Sequence, residues 1–234
     1  MRQIIFDTET TGLDPNQGHC IIEIGAIEVI NRRKTGRTFH KYCKPDRDVE
    51  AEALAVHGIT NEFLSTQPRF ADLADELIEF IKGAELVIHN APFDVGFVNA
   101  ELKRIKSSHT VVDLCMVLDT LPLARSKYPG QRNSLDALCK RFGVDTSGRD
   151  YHGALLDAQL LLDVYLAMTG GQSTMSLDHS TSAGEPGSTN KTWSRPAGVL
   201  AVLTATDDEI AQHEKVLTTL DKASGGKTVW RKMG

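Results

Sequence analysis

Ile4-Ile5-Phe6-Asp7-Thr8-Glu9 is the stretch that decides how this chain of 234 residues is read. Three apolar residues in a row begin a buried strand, and the strand meets two acids one residue apart. Side chains alternate faces along a strand, so Asp7 and Glu9 point to the same side. A core strand rarely closes on two like charges. From these residues alone two outcomes are open. Either the strand runs out into the polar turn Thr10-Thr11-Gly12, or a divalent cation sits between the oxygens and cancels their repulsion.

Outward from that strand, read over residues 2–7, a Gly/Asp/Pro/Asn turn leads to alternating segments at 20–31 and 37–43. Residues 31–36 serve as the hairpin connection between them. Three early strands with short turns predict an antiparallel meander. Helical segments follow at 50–57 and 68–82, the second with Leu73, Leu77, Ile78 and Ile81 on one face and Gly83 as its stop. Residues 85–89 form a short strand of the buried type. Asn90-Ala91-Pro92 then opens a helix that carries Phe97, Leu102 and Ile105. Residues 110–113 read as a further strand, and 114–126, 134–142 and 153–168 as helices. A meander followed by strand–helix alternation is an α/β fold, a mixed sheet with helices on its faces.

After Gly170-Gly171 the texture changes. Residues 172–196 are rich in Ser, Thr and Gly and read as a flexible linker. A strand-like run at 198–204 and a helix-like run at 207–220 follow, with Trp230 near the end. So short a segment buries little core alone. Val199, Leu200, Val202, Leu203, Val216, Leu217 and Trp230 make most sense as a tail that docks on a partner; a frayed terminus is the other outcome.

Composition bounds the function. The length suits one sizeable domain plus an appendage. No stretch is long and apolar enough to span a bilayer, and the N-terminus goes straight into a strand without a signal-peptide layout. Cys20, Cys43, Cys115 and Cys139 lie far apart with no C-x-x-C, so neither a zinc site nor a disulfide framework is expected. A reducing cytoplasm is the simplest location. The net charge of −5 gives no global footprint for nucleic acid. Bases nevertheless outnumber acids between Lys103 and Arg149, as a phosphate-facing surface would require or as solvated helix faces would equally produce.

Two further constellations bear on the acidic pair. Asp94 follows the strand at 85–89, in the first turn of a helix. It is either a cap favoured by the helix dipole or a site residue at the carboxyl end of a strand. Tyr151-His152-Gly153-Ala154-Leu155-Leu156-Asp157-Ala158 sets His152 where a helix begins and Asp157 more than one turn in. On that helix Leu156, Leu160, Tyr165 and Leu166 supply apolar cover and Asp157 borders the inward face. A carboxylate so placed wants a partner, and a metal shared with Asp7 and Glu9 would be one. An imidazole titrates near neutrality and suits removal of a proton from a bound water. Four carboxylates without a cysteine ligand favour Mg²⁺ or Mn²⁺ over zinc. Two such ions about 3.5–4 Å apart clamp the attacking and leaving oxygens of a phosphodiester displacement.

Asp7-x-Glu9-Thr10-Thr11-Gly12, His89-Asn90-Ala91-Pro92-Phe93-Asp94 and His152-x4-Asp157 together resemble the three exonuclease motifs of the DEDD superfamily, histidine branch. The epsilon proofreading subunits of bacterial DNA polymerase III are similar over more of the chain. The similarity takes in Ile21-Ile22-Glu23-Ile24-Gly25-Ala26, Asn31-Arg32-Arg33, Val56-His57-Gly58-Ile59, residues 132–139 and residues 167–172, and resumes at residues 205–210. That resemblance implies a ribonuclease H-like sheet over residues 1–170, a linker at 171–196 and a polymerase-docking tail at 197–234. It implies that Asp7 bridges two Mg²⁺ or Mn²⁺ ions, that Glu9 and Asp157 complete the site of the attacking water, and that Asp94 holds the second ion. His152 would be the general base. Glu52 and His57 would touch the terminal nucleotide, and Thr10, Leu13, Asn90 and Phe93 would line the pocket for the last bases. The implied reaction is 3′→5′ removal of a mispaired nucleotide as a 5′-monophosphate.

The same resemblance implies partners: the DNA 3′ end, the polymerase alpha subunit through the tail and Trp230, and a small theta-like subunit. A sliding clamp would be weakly bound by residues 172–177 through Gln172, Met175 and Leu177, where Leu177 stands in place of an expected aromatic. No membrane partner is implied. Two other readings share part of this pattern. A stand-alone DEDD exonuclease acting on RNA or single-stranded DNA ends has every catalytic residue but no need of residues 178–234. A binding or scaffolding subunit needs none of the five charged site residues.

Overall fold

The computed structural model describes residues 1–147, 151–170 and 205–225. The chain falls into two compact units, Met1–Ser176 and Leu177–Gly234. In chain order the first contains β1 (Arg2–Thr10), β2 (Ile21–Ile30), β3 (Arg33–Tyr42), α1 (Ala51–His57), α2 (Asn61–Leu64), α3 (Phe70–Ile81), β4 (Glu85–Ile88), α4 (Ala91–Arg104), α5 (Val111–Leu114), β5 (Met116–Asp119), α6 (Thr120–Lys127), α7 (Leu135–Phe142) and α8 (Ala154–Thr169). The described part of the second unit is one helix, α9 (Asp207–Ser224). Its first turn is closed by Thr206, whose backbone N–H donates to Glu209 Oε2 at 2.8 Å.

The strands form one mixed sheet in the order β3-β2-β1-β4-β5. β1–β2 and β2–β3 are antiparallel, whereas β1–β4 and β4–β5 are parallel. Alternation along β1 feeds two cores. Ile4 and Phe6 pack with Leu73, Leu77 and Ile81 of α3 and Phe97 and Leu102 of α4. Ile5 faces the other way, with Ile27, Val29 and Val87, onto Ala158, Leu161, Leu162 and Tyr165 of α8. The reverse side of α8 (Leu160, Val164, Met168) packs on Ala124 of α6 and Leu138 and Cys139 of α7. α8 is therefore wedged between the sheet and a helical layer.

β1 runs on to Thr10, so the acidic pair lies within the ladder rather than past its end: Asp7 stands opposite Gly25, and Glu9 opposite Glu23. The hairpin is tighter than the expected connection at 31–36. Asn31 (φ 50°) and Arg32 (φ 66°) alone make the turn, both left-handed, as a two-residue turn matching the strand twist requires. Gly36 instead lies inside β3, beside an interruption of the β2–β3 register. Arg32 reaches across to α8, donating from Nη2 to Leu166 O at 2.9 Å and from Nη1 to Thr169 Oγ1 at 2.8 Å. It thus satisfies a carbonyl in the last turn of that helix.

Residues 110–113 are not the strand that their apolar pattern predicts. Val111–Leu114 forms a single helical turn, because Asp113 Oδ2 accepts from both the backbone N–H and the hydroxyl of Thr110, at 2.7 and 2.6 Å. Short apolar runs are ambiguous by periodicity, and the local hydrogen bonds prevail. The strand falls at Met116–Asp119, and the helix expected from 114 begins at Thr120, where Asp119 accepts from the Leu121 N–H at 2.9 Å. The short helix α2 had no separate sequence signal beyond Thr60, which caps it. The strand-like run at 198–204 lies outside the described residues.

Gly25 sets how closely α8 lies on the sheet. A methyl group there would collide with the Ala154 carbonyl group and the Leu155 nitrogen. Gly25→Ala is expected to cost about 1–3 kcal/mol in urea unfolding, the range for overpacking a close contact. Gly96→Ala, where a methyl meets nothing within 4 Å, is expected to be neutral or stabilising by up to about 1 kcal/mol.

Candidate active site

Asp7 and Glu9 project from β1 toward α8, on the face that carries Ile5. The β1–β2 register shifts between Glu9 and Thr10. That irregularity ends the ladder and turns the chain into Thr10-Thr11-Gly12-Leu13.

Asp94 comes from the opposite side of the sheet, on the first turn of α4. Asn90, left-handed at φ 68°, starts that helix, and Pro92 occupies its first turn. Thr8 points to the α4 side of β1, and its hydroxyl donates to Asp94 Oδ1 at 2.7 Å. The Asp94 side chain is buried. Burial pushes its pKa up to about 7, against the hydrogen bonds from Thr8 and the backbone that favour the charged form.

α8 brings the third acid. Its N-terminus starts at Gly153, which has no side chain to cap it. β2 supplies the cap instead: buried Glu23 accepts from the Ala154 N–H at 3.1 Å with Oε2 and contacts His40 Nε2 at 2.7 Å with Oε1. The preceding loop is held on α1, where Val56 O accepts from the His152 N–H at 3.1 Å. His152 Nδ1 lies 3.1 Å from Asp157 Oδ2.

Donor atoms of Glu9, His152 and Asp157 lie within 4.8 Å of one another. Beside them Asp7 is held well above the usual carboxylate range, first by burial and then by Asp94, Glu9, Asp157 and Glu23. Every one of those charges is negative. An oxygen-rich, mutually repelling set of this kind fits a hard divalent cation, which converts the repulsion into coordination. Asp7, Glu9, Asp94 and Asp157 are the residues that could hold it.

Next to the carboxylates lies a cleft of about 530 Å³ lined by Glu9, Thr10, Leu13, Glu52, His57 and Phe93, together with Thr8, Gly12, Glu50, Ala53 and Val56. Phe93 is backed by Phe97, ring centroids 4.9 Å apart. Leu13 stands 82% exposed at the lip. His57 Nδ1 accepts from the Ile59 N–H at 3.0 Å, which places the ring proton on the buried Nε2, and burial lowers the pKa so that the ring stays neutral. Asn90 stands exposed at the start of α4, its backbone N–H donating to Asp119 Oδ1 at 3.1 Å. Gln172, Met175, Leu177 and Trp230 lie outside the described residues.

Sequence reasoning missed Thr8, Glu23 and Gly25, which hold Asp94, cap α8 and admit α8 to the sheet. Glu23 had a signal, a charge inside the apolar run Ile21-Ile22-Glu23-Ile24. Thr8 and Gly25 had none without the strand register.

Known proteins are similar to this chain at two levels. Residues 4–165 match the family described as Exonuclease. DNA polymerase III subunit epsilon of Escherichia coli K12 is 52% identical, over 98% of this chain and 97% of that protein. The subunit of the same name from Pasteurella multocida is 49% identical over 99% and 94%, and that from Rickettsia felis 46% identical over 96% and 99%. Among solved structures, exonuclease X in complex with 5′-overhanging duplex DNA superposes with a TM-score of 0.53 at 27% identity, covering 73% of this chain and 93% of that one. E. coli exonuclease I with a dA16 oligonucleotide gives a TM-score of 0.63 at 18% identity, over 72% and 41%, a likeness of fold.

The raised carboxylates make a signed pH prediction. Without metal, folded Asp94 keeps its proton up to about 7, whereas its ordinary value is 3.8. Folding then binds a proton between those values, so its contribution to stability falls as pH rises through the window. Asp7 acts in the same direction. A divalent cation removes this penalty. The rise in thermal midpoint on adding Mg²⁺ or Mn²⁺ is therefore expected to grow between about pH 5 and pH 8. Asp7→Asn should flatten that growth; an equal metal response at both pH values in the unaltered protein would contradict the assignment.

Proposed function

We propose how the residues of this chain divide the work of shortening a DNA end, from the premise that the chain belongs to the exonuclease family and, within it, to the epsilon subunits of DNA polymerase III. The protein is a metal-dependent 3′→5′ exonuclease, the proofreading subunit of that polymerase complex. One observation carries the division of labour: acids from β1, α4 and α8 converge beside a cleft of nucleotide size.

Asp7, Glu9, Asp94 and Asp157 would hold two Mg²⁺ or Mn²⁺ ions. When bound, these ions acidify the attacking water and offset the charge that builds on the phosphate oxygens. His152 is the general base, and its contact with Asp157 orients the ring. Leu13 and Phe93 give the last bases apolar surfaces to stack on. Glu52 and His57 touch the terminal nucleotide, Thr10 and Asn90 complete its surroundings, and the product is a 5′-monophosphate.

Residues 1–170 form the exonuclease domain, 171–196 the linker with a weak clamp-binding peptide at 172–177, and 197–234 the tail that docks on the alpha subunit. α9 supports the docking role, since Ile210, Val216 and Leu220 are exposed on it. A theta-like subunit is a further partner. With a net charge of −5 the chain has little independent grip on DNA, so the polymerase delivers the primer end. No helix among the described residues is long and apolar enough to cross a membrane, and the cytoplasm is the proposed location.

With Mg²⁺, a primer–template bearing a mispaired 3′ end is expected to be shortened faster than a single-stranded RNA of equal length. Asp7→Ala and His152→Ala should each lower the rate by at least about 10²-fold. Preferential trimming of RNA would favour a stand-alone RNA exonuclease, and activity surviving both substitutions would sink the mechanism. Deleting residues 178–234 should abolish co-purification with the alpha subunit and leave exonuclease activity intact.

A further inference from the structure

Thr11, just past the end of β1, is wholly buried, and all its polar groups are engaged. Its N–H donates to Cys20 O at 2.9 Å, and its carbonyl accepts from the Glu50 N–H at 3.0 Å. Its hydroxyl oxygen accepts from the Cys20 N–H at 3.0 Å and lies 3.1 Å from His19 Nδ1. The other ring nitrogen of buried His19, Nε2, lies 3.2 Å from Glu50 Oε1. Because the carboxylate accepts, Nε2 carries the proton and the Thr11 hydroxyl donates to Nδ1.

The imidazole thus joins the two walls of the nucleotide cleft. On one side is the loop that presents Leu13. On the other is α1, which carries Glu52, Val56 and His57 into the same cleft. Glu50 sits at the N-cap of α1 but makes no side-chain cap there; its carboxylate is turned to His19. Gly12 lies against the ring so closely that a methyl would collide with the imidazole. The His19 carbonyl is itself fixed, accepting from Arg104 Nη2 at 2.7 Å, and Arg104 is paired with Glu101 at 2.7 Å. A helix as short as α1 has little stability of its own, so its placement depends on such ties.

We propose that His19 is a positioning residue: its Thr11–His19–Glu50 bridge sets the spacing between the Leu13 lip and α1, and so how the 3′-terminal nucleotide is gripped. It is outside both the cleft lining and the carboxylate cluster. The proposal rests on the exonuclease reading above and adds the element that gives the cleft its width.

The test separates grip from chemistry with two substrates, a single-stranded oligodeoxynucleotide and bis(4-nitrophenyl) phosphate, a diester with neither base nor sugar. His19→Ala and Glu50→Ala, which break the bridge from its buried and its exposed end, are each expected to raise KM for the oligonucleotide about tenfold while kcat stays within about twofold. Under His19→Ala, hydrolysis of the base-free diester should hold within about twofold. The double substitution should be no worse than either single one, because both remove the same bridge. Equal losses on the two substrates, additive losses in the double variant, or an unchanged KM in Glu50→Ala would overturn the proposal. Glu50 also lines the cleft, so if His19→Ala fails to fold, Thr11→Val, which removes the bridging hydroxyl from outside that lining, decides the matter: the same rise in KM supports the bridge and an unchanged KM overturns it. Failure of the unaltered protein to shorten DNA would instead overturn the exonuclease reading, and the bridge's role with it.

Discussion

The mutual repulsion of Asp7, Glu9, Asp94 and Asp157 is the constraint that the rest of the fold answers. Four acids do not gather unless something holds each in place, and here three separate elements do so. β1 sets two of them two residues apart on one face. α4 brings Asp94 from the other side of the sheet, restrained by the Thr8 hydroxyl. α8 brings Asp157, seated against β2 at Gly25 and capped by Glu23. The two hydrophobic clusters on either side of β1 supply the stability that this assembly costs. A site of this kind stores the demand for a cation in its geometry, because protonation and metal binding are the two ways of relieving the charge.

How much of this was legible in the sequence depends on the range of each interaction. The apolar run before Asp7 and Glu9, the carboxylate after the strand ending near Ile88, and His152 with Asp157 could all be placed, because each combines a residue type with a local periodicity. The meander and the later strand–helix alternation followed from the same signals. Val111–Leu114 could not be read correctly, since a hydroxyl–carboxylate contact between Thr110 and Asp113 outweighed an apolar pattern that fits a strand equally well. The hairpin was misplaced for a related reason. Gly36 suggested a turn, whereas Asn31 and Arg32 accept left-handed backbones and free Gly36 for the irregularity in β3.

Thr8, Gly25 and His19 belong to another class. Each matters through a neighbour distant in sequence: Asp94, Ala154 and Glu50. Nothing in their own surroundings marks a threonine between two acids or a glycine within a strand as decisive. Alternation along β1 already puts Thr8 on the face opposite Asp7 and Glu9, but only the packing of α4 shows that Asp94 meets it there. The candidate site residues were therefore readable from sequence, while most of what orients them was not.

The β2–β3 hairpin holds α8 at both ends, through Glu23 at its first turn and through Arg32 at its last. A rod pinned twice to one frame has no hinge of its own. Asp157 is therefore tied to the same frame that carries Asp7 and Glu9. The opposite wall is held differently, with the Leu13 loop and the short helix α1 joined through buried His19. One wall is thus anchored through strand pairing and the other through an imidazole and one backbone hydrogen bond.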